Sequence, residues 1–418
     1  MENESFLSDA LLKQLMAVGQ VDVLVGLPTL NNAATVANVA EAIHLSFTRD
    51  LPRLRTVMIN SDAGSTDGTA ELIRDASFLQ GDVVQTSHSL RTTHRVVTPY
   101  HGLPGKNTAL QTLFAAAELT QANTLVVIDP AGPATTADRV TELITPIWRS
   151  EVEFLAPRYR RNPRDGALIT QLVRPLVRAV YGTEIDEPLG GEFACSGRFA
   201  THCLEQDIWS QDAATFAIDL WLRTEAIANN LQIGQIWRPA TAAAAPTTLR
   251  QTIRQVLLSL IVALHAHESF WRRTTEVTRL HTWGNDHKKC PSASEWDFVT
   301  LANQARGDIR EIQPLLEGIL DPPVLSGLVD DLNTGESRLD DEVWVRIVYD
   351  FLDASHRGST GVDHLADMFV PLYMWRAARF MSFTARESDD SAQKRLNTLC
   401  DAFQRLKPAL VDGWTVEV

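Results

Sequence analysis

Cysteine is scarce, and the four present, Cys195, Cys203, Cys290 and Cys400, form no CxxC pair. No disulfide framework is expected, and a reducing cytoplasm is the simplest setting. Excess positive charge is missing as well. A formal net charge of −14 opposes non-specific attraction to nucleic acid, so no nucleic-acid partner is expected. No apolar run is long enough to cross a bilayer. The longest, Val256–Leu264, is interrupted by Ser259 and reads as a buried helix. The start, MENESFLSDALLKQL, is acidic and lacks a basic opening followed by an apolar run, so it does not read as a signal peptide. GxSxG, HExxH and GxGxxG are all absent, which removes support for a serine hydrolase, a zinc protease and a dinucleotide dehydrogenase.

What is present is ordinary soluble composition, 44% apolar and 22% charged, over 418 residues. That length predicts two domains. Val21–Leu27, Leu54–Asn60, Asp82–Gln85, Thr124–Ile128, Phe154–Tyr159 and Gln232–Trp237 read as strands. Helical stretches alternate with them: about 31–47, Ala70–Ala76, Gly105–Leu119, Thr136–Arg149, Asp165–Tyr181, Phe216–Asn229 and Leu249–Phe270. The stretch between Gln85 and about Pro104 reads as a long polar loop. This alternation predicts an α/β fold with a mostly parallel, right-handed sheet and helices on both faces. From Trp271 strand signals mostly vanish. Helical periodicity over Glu311–Leu320, Asp341–Ser355, Val362–Phe383 and Ser391–Leu406 predicts a mainly α-helical second domain, with Pro371 a place for a kink. The boundary is set at residues 1–270 and 271–418.

Several residues stand where chemistry is expected. Asp129 follows the buried run Thr124–Ile128, at the strand end where open α/β sheets bind ligands. Asp62 follows the second strand at the same edge; it suits a nucleobase or ribose contact, or a turn cap, and Asp67 behind it reads as a cap. Lys106, after Pro104-Gly105 at a helix start, suits a phosphate or is a surface lysine. Glu187-Pro188-Leu189-Gly190-Gly191-Glu192 is either a substrate wall or a turn. Asp219, amid apolar residues, is buried and paired or faces a cleft. The basic cluster Arg158, Arg160, Arg161 and Arg164 is a solvated loop or an anion site. Within it Arg161 could clamp a carboxylate, and Asp165 could hold a hydroxyl or cap a helix.

Together these stretches resemble GT-A fold nucleotide-sugar glycosyltransferases. They are most similar to the retaining enzymes that make glucosylglycerate, mannosylglycerate or glucosyl-3-phosphoglycerate. The likeness runs through Val25–Asn32, with its Pro28 and Asn32, through Asp62–Thr69, Pro104-Gly105-Lys106, Asp129, Glu187–Glu192 and Asp219. It implies a GT-A-like domain and transfer of a hexose, glucose or mannose, from a nucleoside-diphosphate sugar to a small carboxylated acceptor such as glycerate. Pro28, Asn32, Asp62, Gly105, Lys106, Asp129, Leu189, Gly190 and Gly191 would bind the nucleotide sugar. Asp129, Glu192 and Asp219 would lie at the reacting groups, and Arg161, Asp165 and Thr170 would hold the acceptor. A homo-oligomer is left open.

Two departures bear on the metal. Ala131 stands at the second position of the DxD motif, and Arg238–Ala242 holds no histidine where the resembled enzymes place a metal ligand. Asp129 alone remains as a weakened ligand, so Mg²⁺ or Mn²⁺ has an incomplete set of protein donors. The alternative expectation is therefore an impaired relative that binds nucleotide sugar or serves as a scaffold. Leu168 stands where relatives that use phosphoglycerate carry an arginine, which favours glycerate as acceptor.

Overall fold

A computed structural model describes residues 7, 9–75, 94–98, 106–131, 135–209, 217–239, 246–285, 297–334 and 340–415. Its centre is an eight-stranded sheet. In chain order the strands are β1 (Val23–Thr29), β2 (Thr56–Asp62), β3 (His94–Thr98), β4 (Thr124–Val127), β5 (Phe154–Tyr159), β7 (Phe193–Ser196), β8 (Ile233–Arg238) and β10 (Thr282–Trp283). Across the sheet they run β10-β8-β5-β7-β4-β1-β2-β3. All neighbours are parallel except β7, which is antiparallel to both β4 and β5. A separate two-stranded pair joins β6 (Thr183–Glu184) to β9 (Thr278–Arg279).

The strands are apolar on both faces because both faces are covered. Side chains alternate along a strand, so Leu24, Val57, Ile59, Leu125 and Phe154 enter one core. Val23, Val25, Met58, Val126 and Leu155 enter the other. The second core is closed by α2 (Val36–Leu45) and α5 (Ala137–Trp148), through Val39, Ile43, Val140 and Ile144. The first is larger. It takes in α1 (Asp9–Val18), α4 (Lys106–Leu119), α6 (Arg174–Tyr181), α7 (Gly197–Leu204), α8 (Ile218–Ala228) and α9 (Pro246–Ala266). It then continues without a break into the C-terminal helices as far as Trp414. Those helices are α11 (Phe298–Leu316), α12 (Pro322–Thr334), α13 (Asp341–Arg357), α14 (Val362–Thr384) and α15 (Asp389–Gly413); the short α10 (Glu268–Trp271) precedes them.

The expected α/β architecture with helices on both faces and a helical C-terminal region is present. Its details differ in several places. The expected strand Asp82–Gln85 lies outside the described residues. A strand does occur at His94–Thr98, inside the stretch expected to be loop: His94 and Arg95 mask a β-branched Val96-Val97 pair that joins the sheet beside β2. Strand β7 was not expected, because four residues show no periodicity. Two short strands follow Trp271. Of these β10 extends the sheet at its edge, with Trp283 set against Gly234 of β8. Helix α11 starts at Phe298 rather than near Glu311, and α12 was not expected. Pro371 does not divide α14, which is one helix from Val362 to Thr384. The helix expected from Asp165 instead begins past Gly166 and includes a π-helical segment, Ile169–Val173, before α6.

Candidate functional site

The reversed strand β7 builds the site. Parallel strands β4, β5 and β8 end at one edge of the sheet, and a strand running the other way begins there. Val127 pairs with Phe193, so the residues just beyond them, Asp129 and Gly191, meet at that edge. A Cβ on Gly191 would lie 2.5 Å from Asp129 Oδ2; only glycine allows this approach. A Cβ on Gly190 would likewise lie 2.5 Å from the ring of Pro157 on β5. Asp129 is half-buried, and its Oδ1 accepts from the Ala131 N–H at 2.9 Å.

Two buried arginines hold the loop before β7. Arg223, in the middle of α8 and fully buried, donates through Nη2 to the Gly190 carbonyl at 2.6 Å and the Glu192 carbonyl at 3.2 Å. Its Nη1 donates to the Asp219 carbonyl at 2.7 Å. Asp219 itself is buried in the first turn of α8, where free N–H groups favour a carboxylate. Arg238, 2% exposed at the end of β8, donates through Nε to Glu192 at 2.5 Å and through Nη1 to Glu142 at 3.2 Å. Neither arginine was assigned from sequence. Arg223 shares α8 with Asp219, Thr224 and Glu225, so its helix carries no sequence signal that this arginine is buried. Arg238 also occupies the strand end at which a metal-binding histidine would be sought.

Two strands away from Asp129, about 10 Å at the usual strand spacing, Asp62 ends β2. It is buried and committed to its own loop. Its Oδ1 accepts from Thr29 Oγ1 at 3.0 Å and Ser65 Oγ at 2.5 Å, and its Oδ2 from the N–H groups of Gly64 at 3.1 Å and Ser65 at 2.8 Å. Asp67 caps as expected, accepting from the N–H groups of Ala33 and Thr69. These bonds, with Thr69 Oγ1 held by both Asp67 and the Asn32 N–H, hold it below the usual carboxylate range, the Thr69 hydroxyl contributing most. Asn32 folds back onto the Leu30 N–H, and Pro28 lies in β1 beside Ser61. The loops after β1 and β2 are thereby joined into one rim. Lys106 does start α4; its side chain and Gly105 lie outside the described residues.

On the other side of the edge is a cavity of about 430 Å³. Its inner wall comes from the end of β5 and the residues after it, including Tyr159, Arg161, Ile169 and Thr170. Its outer wall is the first turns of α15, at Asp389, Asp390, Gln393 and Asn397. Arg161 and Thr170 line it, while Asp165 is not among the lining residues and its N–H turns back to the Asn162 carbonyl. Arg161 is forked onto Glu187, with Nε at 2.6 Å from Oε1 and Nη2 at 3.0 Å from Oε2. Glu187 is 2% exposed, and burial raises its carboxyl above the ordinary range against the pull of Arg161. Arg158 and Arg174 both pair with Asp186, each at 2.7 Å. Arg164 does not face the cavity as an anion donor. It donates to the carbonyls of Thr384 and Glu387 and pairs with Asp389 at 2.5 Å, tying the α14–α15 turn to this loop. Tyr159 lies between the two halves of the site. Desolvation and then the charges of Glu192 and Glu187 push its phenol up.

Among the described residues the donors at this edge make an incomplete set for a divalent metal. Asp129 is a single carboxylate, Ala131 supplies none, and the Arg238 guanidinium is engaged with Glu192 and Glu142. Among the described residues no group of three His, Cys, Asp or Glu side chains is placed to hold an ion. His265 is elsewhere, lining a second cavity of about 600 Å³ with Glu268 and Arg272. His281 packs edge-on against Trp283, 4.3 Å between ring centroids. Among the described residues no helix is long and apolar enough to cross a membrane.

No family model and no curated protein matches the chain. Among solved structures it is similar to glucosyl-3-phosphoglycerate synthase from Mycobacterium tuberculosis in complex with Mn²⁺, UDP and glucosyl-3-phosphoglycerate. That pair shares 23% identity over 63% of this chain and 86% of the other, with a TM-score of 0.43. The same enzyme with Mn²⁺, UDP-glucose and phosphoglyceric acid gives 23% identity, the same coverage and a TM-score of 0.42. The match is partial in extent and in superposition, so what this chain does is read from its own residues.

Proposed function

We propose that the chain is a glycosyltransferase that binds a nucleoside-diphosphate sugar along the carboxyl edge of the sheet. It would transfer the hexose, with retention, to a hydroxyl of a small carboxylated acceptor such as glycerate. The observation that carries this reading is the approach of Gly191 to Asp129. It joins the strand-end carboxylate to the Gly190-Gly191-Glu192 wall in one side-chain-poor surface, where a sugar can lie against backbone. The rim made by Asn32 and Asp62–Thr69 would meet the base and ribose, and the start of α4 at Lys106 would meet the diphosphate. Glu192 and Asp219 would flank the sugar, and Arg161 and Thr170 the acceptor. A bond forms between the acceptor oxygen and the anomeric carbon as the bond to the diphosphate breaks, the diphosphate leaving with the electron pair. On a retaining course the hydroxyl approaches from the face the diphosphate leaves, so a departing phosphate oxygen is the nearest base for its proton. Residues 1–270 would carry the donor site, with residues 271–418 as a helical part joined to it.

A second reading, nucleotide-sugar binding without turnover, is favoured by Ala131, because the charge of the leaving diphosphate then lacks the usual offset by a bound ion. Titrating UDP-, GDP- and ADP-sugars into the protein with and without Mg²⁺ or Mn²⁺, followed by product analysis, separates the two. Transfer that persists in chelator supports the transferase. Tight binding with no product supports the second reading, and full dependence on metal overturns the ion-free site. Ala131→Asp combined with Ala240→His should increase metal dependence.

A further inference from the structure

The cavity beside β5 is larger, and less cationic, than a site for a three-carbon acid requires. Glycerate displaces roughly 100 Å³, three to four waters at about 30 Å³ each, against about 430 Å³ available. The larger figure lies in the range of about 300–1,000 Å³ typical of sites that enclose ligands of drug size.

Its carboxylates outnumber its arginines by one. Four arginines line it, Arg158, Arg160, Arg161 and Arg174, against five carboxylates, Glu184, Asp186, Glu187, Asp389 and Asp390. Three of those arginines are engaged with the carboxylates at 2.6–2.7 Å. An anion entering beside these pairs would compete with the carboxylates for the arginines and be repelled by the buried acids. Hydroxyl groups do not: they accept from the outer edges of guanidinium groups and donate to carboxylates without separating the pairs. The remaining polar lining suits hydroxyls too. On α15 the Gln393 amide donates to Asn397 Oδ1 at 3.3 Å, a weak mutual contact that a ligand can replace.

We infer that this cavity holds an uncharged, polyhydroxylated part of the acceptor, about the size of a sugar ring, and that α15 recognises it through Gln393 and Asn397. The inference rests on the acceptor site of the proposed transferase and gives the C-terminal helices a part in choosing the substrate. The Arg164 contacts to Thr384, Glu387 and Asp389 set the position of that wall.

The test uses the full-length chain, titrated with UDP, GDP and ADP and, separately, with glycerate, 3-phosphoglycerate, glucose and glucosylglycerate. The expected result is glucosylglycerate binding at least tenfold more tightly than glycerate. A Gln393→Ala/Asn397→Ala variant should lose that advantage while keeping its melting temperature and its nucleotide affinity. Equal binding of glycerate and glucosylglycerate, tightest binding of 3-phosphoglycerate, an advantage that survives in the variant, or no binding of any acceptor overturns the inference. Absence of nucleotide binding overturns the transferase reading instead, and an α15-dependent preference for glucosylglycerate would stand without it.

Discussion

The Cα of Gly191 lies against the Asp129 carboxylate, leaving no room for a methyl group, which would sit 2.5 Å from Oδ2. Gly191→Ala must therefore push the carboxylate or the loop aside. The expected cost is about 1–3 kcal/mol of stability, with a larger effect on function. Nucleotide-sugar affinity, measured by calorimetry, should drop tenfold or more. Unchanged affinity would remove Asp129 and Gly191 from the donor site.

Arg223 fixes the same loop from behind. Arg223→Met leaves the carbonyls of Gly190, Glu192 and Asp219 without their buried donor. A hydrogen bond to a charged group contributes about 1.5–3 kcal/mol, so a loss of about 3 kcal/mol or more is expected in chemical denaturation. Arg223→Lys should recover only part of this, because one ammonium cannot span the positions that the guanidinium fork reaches.

Arg161 and Glu187 form a buried pair that breaks asymmetrically. Arg161→Ala strands the Glu187 carboxylate and should destabilise by about 3–5 kcal/mol. Adding Glu187→Gln should restore much of that stability. Acceptor binding by the double variant then reports on Arg161 itself. Full acceptor affinity in a stable double variant would show that the arginine organises the wall without meeting the substrate.

Lys407 of α15 is 5% exposed and donates to the carbonyls of Val180 and Thr274. Burial pulls its ammonium down to about 8. Between that value and the unfolded value of about 10.4, the folded chain binds fewer protons than the unfolded chain, so this group makes stability rise with pH. Below pH 8 its penalty is constant. Across that window the stability of the native chain relative to Lys407→Met should rise on the order of 2–3 kcal/mol. A difference that does not vary between pH 7 and 10.5 would contradict this.

The parts of the fold readable from sequence were those with strong local periodicity. Val23–Thr29, Thr56–Asp62 and Thr124–Val127 stood out because burial on both faces demands continuous apolar, β-branched runs. His94–Thr98 and Phe193–Ser196 did not, being short and held by neighbours far along the chain. The site divides in the same way. Asp62, Asp129 and the glycine pair were visible as strand-end residues in Gly- and Ser-rich turns. Arg223 was hidden because an arginine within a helix looks like a surface residue until its partners, 31 and 33 residues away, are known. Arg161 was visible as a fork of donors, but Glu187, which occupies that fork, lies 26 residues on. Nothing in the cluster Tyr159–Asp165 signals that α15, more than 220 residues later, closes the cavity.

Running one strand against its neighbours has a price in tolerance to length changes. Entry into Phe193–Ser196 is also the proposed sugar-side wall, so the spacing from Gly191 to Phe193 is a gauge set by the pairing with Val127. An inserted or deleted residue there would move every later side chain of the strand to the opposite face. Cys195 and Ala194 would exchange cores as Glu192 lost its reach to Arg238. Loops at the outer rim are free of this constraint; the short junction ties the proposed donor site to core packing, so it should tolerate substitution better than a change of length.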